Sequence, residues 1–124
     1  ISYATLLQHY WRNIDPLDGQ GQFCDRGDSY RPVIFTAGEQ QATAAKASAA
    51  SAASELGVSK SKIKVQIRDA VQFWPAEDYH QNYANNNELR YRYYRFSCGR
   101  DRRLDAVWGE RARSGTSWIA PLSP

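Results

Sequence analysis

The sequence predicts an α+β domain: a mixed β-sheet with helices packed on it. Three observations predict it. Val33, Ile34 and Phe35 form a short apolar run that suits a buried strand. Ile63, Val65 and Ile67 alternate with Lys64, Gln66 and Arg68, the pattern of a half-exposed strand. Between them lies an Ala-rich stretch, Glu39–Leu56, free of Gly and Pro and long enough to cross over, so that the two strands lie parallel in one sheet. Two strands do not make a sheet that stands alone.

The elements follow in order. Ser2 caps a first helix whose apolar positions Tyr3, Leu6, Leu7 and Tyr10 recur at helical spacing, and Asp15-Pro16 with Gly19 and Gly21 ends it. Residues 17–30 are rich in Gly, Asp and Gln without an apolar period, which marks a surface segment of the kind that carries function. Pro32 opens the first strand. Glu39 lies at the positive end of the central helix dipole, and Gly57 is its terminator. Residues 76–83, 88–96 and 101–108 are predicted helical, the last with Leu104, Val107 and Trp108 on one stripe and Gly109 as its stop. Residues 110–124 form a tail, with no readable period after Gly115.

The 124 residues are 42% hydrophobic, 13% aromatic and 23% charged, the profile of one globular domain rather than a disordered chain. No apolar run approaches the roughly 18 residues that span a bilayer, and no basic-then-apolar leader opens the chain, so a membrane protein is not expected. The sequence starts at Ile1 and contains no methionine, so a preceding segment is expected. Two cysteines, Cys24 and Cys98, are too few for a secreted disulfide scaffold and fit a reducing compartment or chemistry. The net charge of +3 is C-terminal: residues 88–113 carry eight arginines against Glu88, Asp101, Asp105 and Glu110. Such asymmetry can signal an anionic partner.

Four features bear on chemistry. The Arg and Tyr interleaving of residues 89–96 would suit phosphates and stacked bases, which makes a nucleic-acid-binding module the alternative reading. Against it, Leu89, Tyr93 and Phe96 form a stripe expected to pack inward, with the arginines in water. His80 stands beside Glu77 and Asp78, but these adjacent acids diverge around a helix and no second histidine has ligand spacing, so no metal is expected. Cys98, among Arg95, Arg100, Arg102 and Arg103, is either a reactive thiol or a small buried hydrophobe. Cys24, beside Asp25, ranks second because a negative neighbour raises a thiol pKa.

Taken together, three motifs carry a specific resemblance. The order is residues 10–16, Tyr-Trp-Arg-Asn-Ile-Asp-Pro; then, after a Gly-rich loop, residues 25–31, Asp-Arg-Gly-Asp-Ser-Tyr-Arg; then residues 73–81, Phe-Trp-Pro-Ala-Glu-Asp-Tyr-His-Gln. Over residues 1–109 the chain resembles the C-terminal part of the catalytic domain of the A-type peptide methionine sulfoxide reductases.

The resemblance implies reduction of methionine S-sulfoxide, free or in proteins, to methionine, an oxidative-damage repair step. In the family a cysteine thiolate attacks the sulfoxide sulfur, acidic and tyrosine groups hold its oxygen, and a second cysteine captures the resulting sulfenic acid before thioredoxin reduces the disulfide. Asp25 and Tyr30 match the family's substrate-binding aspartate and second tyrosine, and five positions apart they are expected to converge on the sulfoxide oxygen. His80 is expected to orient that site, and Cys98 is the candidate recycling cysteine. The resemblance further implies a monomeric, cytoplasmic enzyme without an organic cofactor, and a two-layer, ferredoxin-like-related sandwich that is incomplete here because its N-terminal strands are absent from these residues. The family's nucleophile lies in a Gly-Cys-Phe-Trp motif that these 124 residues do not contain. The fragment by itself is therefore expected to be inactive, and a degenerate homologue that binds oxidised methionine without reducing it is the remaining alternative.

Overall fold

The computed structural model describes residues 1–119. Helix α1, Tyr3–Arg12, starts where Ser2 accepts a hydrogen bond from the Thr5 amide at 3.1 Å. Of its apolar positions, Leu7 and Trp11 are buried, whereas Leu6 stays exposed. Strand β1, Gly21–Gln22, then pairs antiparallel with β2, Asp25–Arg26, and a 3-10 turn at Asp28–Tyr30 follows. Strand β3, Val33–Thr36, and β4, Gln66–Asp69, are parallel, with Ile34 opposite Ile67, and α2, Glu39–Leu56, joins them as the crossover helix. Gly57 ends α2 at φ 68°, a left-handed conformation that favours glycine.

The fold class is α+β, and among the described residues it holds two separate two-stranded sheets, one antiparallel and one parallel, rather than one mixed sheet. The 17–30 segment, expected to be irregular, thus contains a minimal hairpin. Strand β3 is buried on one side only: Ile34 and Thr36 face the core while Phe35 is exposed, because α2 covers a single face of the parallel pair. Ile63 and Val65 precede β4 and pack against the core as partly buried side chains.

Leu7, Trp11, Ile34, Ala45, Ala52, Leu104 and Trp108 make up the core. Alanine and serine on α2 allow α1 to approach closely, and Trp11 Nε1 donates to the buried Ser48 hydroxyl at 2.9 Å. Trp108 Nε1 donates to the Ile14 carbonyl at 3.0 Å. Both indoles therefore bury their large apolar surface without leaving an N–H unpaired.

Arg12 is the largest charged group in the interior. Its guanidinium, wholly buried, grips Glu55 with two hydrogen bonds of 2.9 and 2.8 Å, donates to the Thr116 carbonyl and stacks 4.4 Å from the Trp118 ring. Arg111 also donates to Glu55, at 2.9 Å. Residues 111–118 are thereby drawn back onto α1 and α2. Within the 110–124 tail, residues 120–124 lie outside the described residues.

The helix expected at residues 76–83 does not form. The structure has a 3-10 turn at Asp78–His80 and a single helical turn, α3, at Tyr83–Asn86, separated by Asn82 at φ 52°. Side-chain amides compete for the local backbone: Asn87 Nδ2 donates to the Tyr83 carbonyl at 3.3 Å, and Gln81 Nε2 to the Ala76 carbonyl at 2.8 Å. Every residue from 70 to 86 is exposed, Tyr83 the least so of the large hydrophobic side chains at 37%, so little packing rewards a helix there.

Helices α4, Glu88–Ser97, and α5, Arg100–Trp108, form as predicted, with Gly109 ending α5. The orientation of α4 differs from expectation. Leu89, Tyr93 and Phe96 are 82%, 74% and 71% exposed, while Tyr91, Arg95 and Cys98 turn toward the body of the protein. Polar and covalent partners, not apolar packing, hold that inward face.

Candidate active site

The hairpin and the end of α4 meet at two points. Phe23 and Cys24 form the β1–β2 turn, with Phe23 at φ 54°. Gly21 permits the tight pairing: at φ 156°, any side chain there would collide with the Asp25 carbonyl oxygen. The turn delivers Cys24 to Cys98, just past the last turn of α4, and the two form a disulfide across 74 residues of sequence. One residue further on, the Asp25 carboxylate accepts a hydrogen bond from the Tyr94 hydroxyl.

That hydrogen bond sets the electrostatics of the cluster. The Asp25 carboxylate, joined by partial burial, pushes the Tyr94 phenol up to about 12, because ionising it would set two negative charges side by side. Tyr94 therefore stays a donor throughout the physiological range. Tyr30, on the 3-10 turn, lies near enough to add to this shift, yet it is 52% exposed. The cleft at this phenol is lined by Asp25 but not by Tyr30, and it is Tyr94, which sequence reasoning had assigned only to the Arg/Tyr stretch, that touches the aspartate.

Arg100 closes the other side. Its guanidinium stacks 4.2 Å from the Phe23 ring and donates to the Asn13 carbonyl at 3.0 Å, and its burial pulls its pKa below the usual arginine value. Arg95 is held by Asp101 through hydrogen bonds of 2.8 and 2.7 Å, and Arg103 pairs with the buried Asp15 at 2.7 Å. Of the four arginines expected to surround Cys98, two are therefore neutralised by carboxylates. Arg102 lies over the Phe96 ring at 5.4 Å.

Two clefts flank the disulfide. One is lined by Asp25, Tyr94, Arg100 and Cys98, with Phe23 as its wall. The other, about 290 Å³, is lined by Cys24 and Cys98 together with Asp15, Asp18 and Arg103. His80 joins neither: its Nε2 stands 3.7 Å from a Glu77 oxygen and its ring lies 4.0 Å from that of Tyr79, both contacts local. No metal-binding group of three or more His, Cys, Asp or Glu side chains occurs among the described residues. In the Arg/Tyr helix, Arg92 pairs with Glu88 at 2.6 Å and Arg95 with Asp101, which leaves little free positive charge for phosphates.

Tyr94 and Cys24 are the residues sequence reasoning underrated. The signal for Tyr94 was its position one turn before Cys98, which puts both at the same end of one helix. For Cys24 the signal was its adjacency to Asp25, because any contact that recruits one brings the other along.

Comparison with known proteins identifies the family. Residues 1–112 match the family model described as peptide methionine sulfoxide reductase. A protein of Rhizobium meliloti named peptide methionine sulfoxide reductase MsrA 2 is 47% identical over 117 residues, covering 94% of this chain and 58% of the relative. Its namesake from Caulobacter vibrioides is 49% identical over 109 residues, covering 88% and 54%. The Bacillus licheniformis peptide methionine sulfoxide reductase MsrA is 42% identical over 109 residues, covering 88% and 60%. The chain spans between half and three-fifths of the length of these three relatives, and it belongs to the peptide methionine sulfoxide reductase family.

Proposed function

We propose that this chain supplies the substrate-oxygen and thiol-recycling side of a peptide-methionine (S)-S-oxide reductase. The observation that supports this reading is that Asp25 and Cys98, 73 positions apart in sequence, line one cleft together with Tyr94, whose hydroxyl donates to Asp25. As a thiolate attacks the sulfoxide sulfur, negative charge grows on the oxygen. Donors already aimed at that position lower the barrier, typically by about 3–4 kcal/mol for each donor. Tyr30 and Tyr94 carry phenol hydroxyls that can donate, Tyr94 by turning its O–H from Asp25 to the substrate oxygen, while Asp25 acts through a bridging water. Arg100 adds a fixed positive charge on the same side.

Recycling is the second part. The sulfoxide oxygen leaves as water once a thiol condenses with the sulfenic acid formed on the attacking cysteine, and Cys98, once freed from its bridge to Cys24, is proposed to provide that thiol. The attacking cysteine belongs to the family's Gly-Cys-Phe-Trp motif, outside these residues. Thioredoxin, a dithiol protein, is the proposed reductant, and a cytoplasmic monomer is the proposed setting. His80 is proposed to act only in support, through its own segment.

The test uses the protein expressed from its complete reading frame. Methionine formation from the separate S- and R-sulfoxides of a short peptide is followed with a thioredoxin system as electron source. The expected result is turnover of the S form and none of the R form. Equal use of both, or of neither, contradicts the proposal.

A further inference from the structure

Resting on the function proposed above, we propose that a trough beside the disulfide seats the polypeptide that flanks the oxidised methionine, and that Lys64 and Arg103 make it select a carboxylate side chain there. The trough is a cavity of about 720 Å³ lined by Asp15, Asp18, Gly19, Gln20, Lys64 and Arg103. It shares Asp15, Asp18 and Arg103 with the cleft at Cys24 and Cys98, and that cleft shares Phe23 and Cys98 with the one lined by Asp25 and Tyr94. The three depressions therefore run on from one another, from the oxygen-holding groups out along the loop that follows Pro16. A methionine inside a polypeptide brings main chain with it, and a trough continuous with the cleft fits an extended segment of that chain.

The acids of the trough are already matched, and its cations are not. Asp15 is 6% exposed, and its two oxygens accept from the Leu17 amide at 3.1 Å and from Arg103 Nε at 2.7 Å. Asp18 accepts from the Gln20 amide at 3.0 Å and from Arg26. Both carboxylates are thus spent on partners within the protein. Arg103 bonds through Nε alone, so its two Nη groups have no protein partner among the described residues. Lys64 has no carboxylate partner among them either, and its Nζ reaches the Ser61 carbonyl at 3.1 Å. Its position is nevertheless fixed. The Lys64 amide donates to the Pro16 carbonyl at 2.8 Å, and Gly19 lies so near that a side chain there would come within 3.1 Å of the Lys64 Cβ. The alkyl stem is thus held against the loop while the ammonium group stays in water. The trough therefore presents N–H groups in excess. A segment of carbonyl acceptors that bears a carboxylate satisfies them, the two Nη groups matching its two oxygens, whereas a lysine side chain there meets like charge.

The experiment measures kcat and KM of the complete protein for peptides that carry glutamate, glutamine or lysine at successive positions on either side of the methionine S-sulfoxide, at low and at high salt. At one position or more, glutamate should lower KM about threefold relative to glutamine and lysine should raise it, with the effect in KM rather than kcat and fading at high salt. Lys64→Glu, at an exposed site, should abolish the preference for glutamate or reverse it. Equal KM for the three peptides at every position, or the wild-type preference kept in Lys64→Glu, overturns this inference alone. So does a Lys64→Glu protein changed only in its KM for the dithiol reductant, which would make the trough a surface for that protein. No methionine from any peptide with the wild-type protein overturns the function on which the inference rests.

Discussion

The Tyr94 hydroxyl donates to the Asp25 carboxylate across 69 positions of sequence, joining the hairpin to a helix that has no fully buried residue. Cys24 and Cys98 form their bridge beside this hydrogen bond, so a polar contact and a covalent one fix the same junction. The junction sits on a rigid base, because α5 continues directly from it and buries Leu104 and Trp108.

Titration of the tyrosines tests the contact. Of the eight tyrosines, Tyr94 and Tyr10 are pushed up to about 12, Tyr94 chiefly by its hydrogen bond to Asp25 and Tyr10 chiefly by burial. Ultraviolet titration of Tyr94→Phe should lose one late-ionising step and keep the other. Because the folded value is raised, the stabilisation is fully present below the unfolded value of about 10 and fades as pH climbs toward the folded one. Tyr94→Phe should therefore narrow its stability gap to wild type above about pH 10. A constant gap up to pH 12 would refute the contact.

Glu55 is the acid whose loss should be felt most. Burial alone would raise its pKa, but Arg12, the Ile119 amide and Arg111 outweigh burial and hold it below the usual carboxylate range. Glu55→Ala strands the buried Arg12 guanidinium and should cost about 3–5 kcal/mol in urea unfolding at neutral pH. With the folded pKa depressed, the stabilisation is present above the usual carboxylate range and is lost as pH falls through the folded value. The difference between Glu55→Gln and wild type should accordingly shrink in acid, as read from urea midpoints across pH.

Gly21→Ala probes the hairpin. The added methyl would meet the Asp25 carbonyl oxygen at a backbone angle that L-residues avoid, so a loss of about 1–3 kcal/mol is expected. Mass-spectrometric mapping should also find less Cys24–Cys98 bridge, since the turn that aims Cys24 is displaced. Unchanged stability and bridging would mean that the hairpin tolerates an open register.

Much of the fold was legible because it rests on local signals. Ser2 as cap, Gly57 and Gly109 as stops and the Ala-rich run are short-range features, and each element formed where they placed it. Residues 76–83 misled because helical spacing was present without a surface to pack on. The face of α4 was inverted for a related reason: a stripe analysis weighs apolar side chains, whereas Asp25, Asp101 and the bridge hold this helix through polar and covalent links. In the site, Asp25 and Cys98 came from motif resemblance and charge setting. Tyr94 and the Cys24 pairing depend on contacts 69 and 74 residues apart, which no local pattern encodes.

The most direct measurement is kcat/KM for methionine S-sulfoxide in a peptide, comparing the complete wild-type protein with Asp25→Asn, which keeps an oxygen to accept from Tyr94. A fall of about a hundredfold or more is predicted, the scale of losing one aligned group at a developing oxyanion. An Asp25→Asn protein that matched wild type would contradict the account.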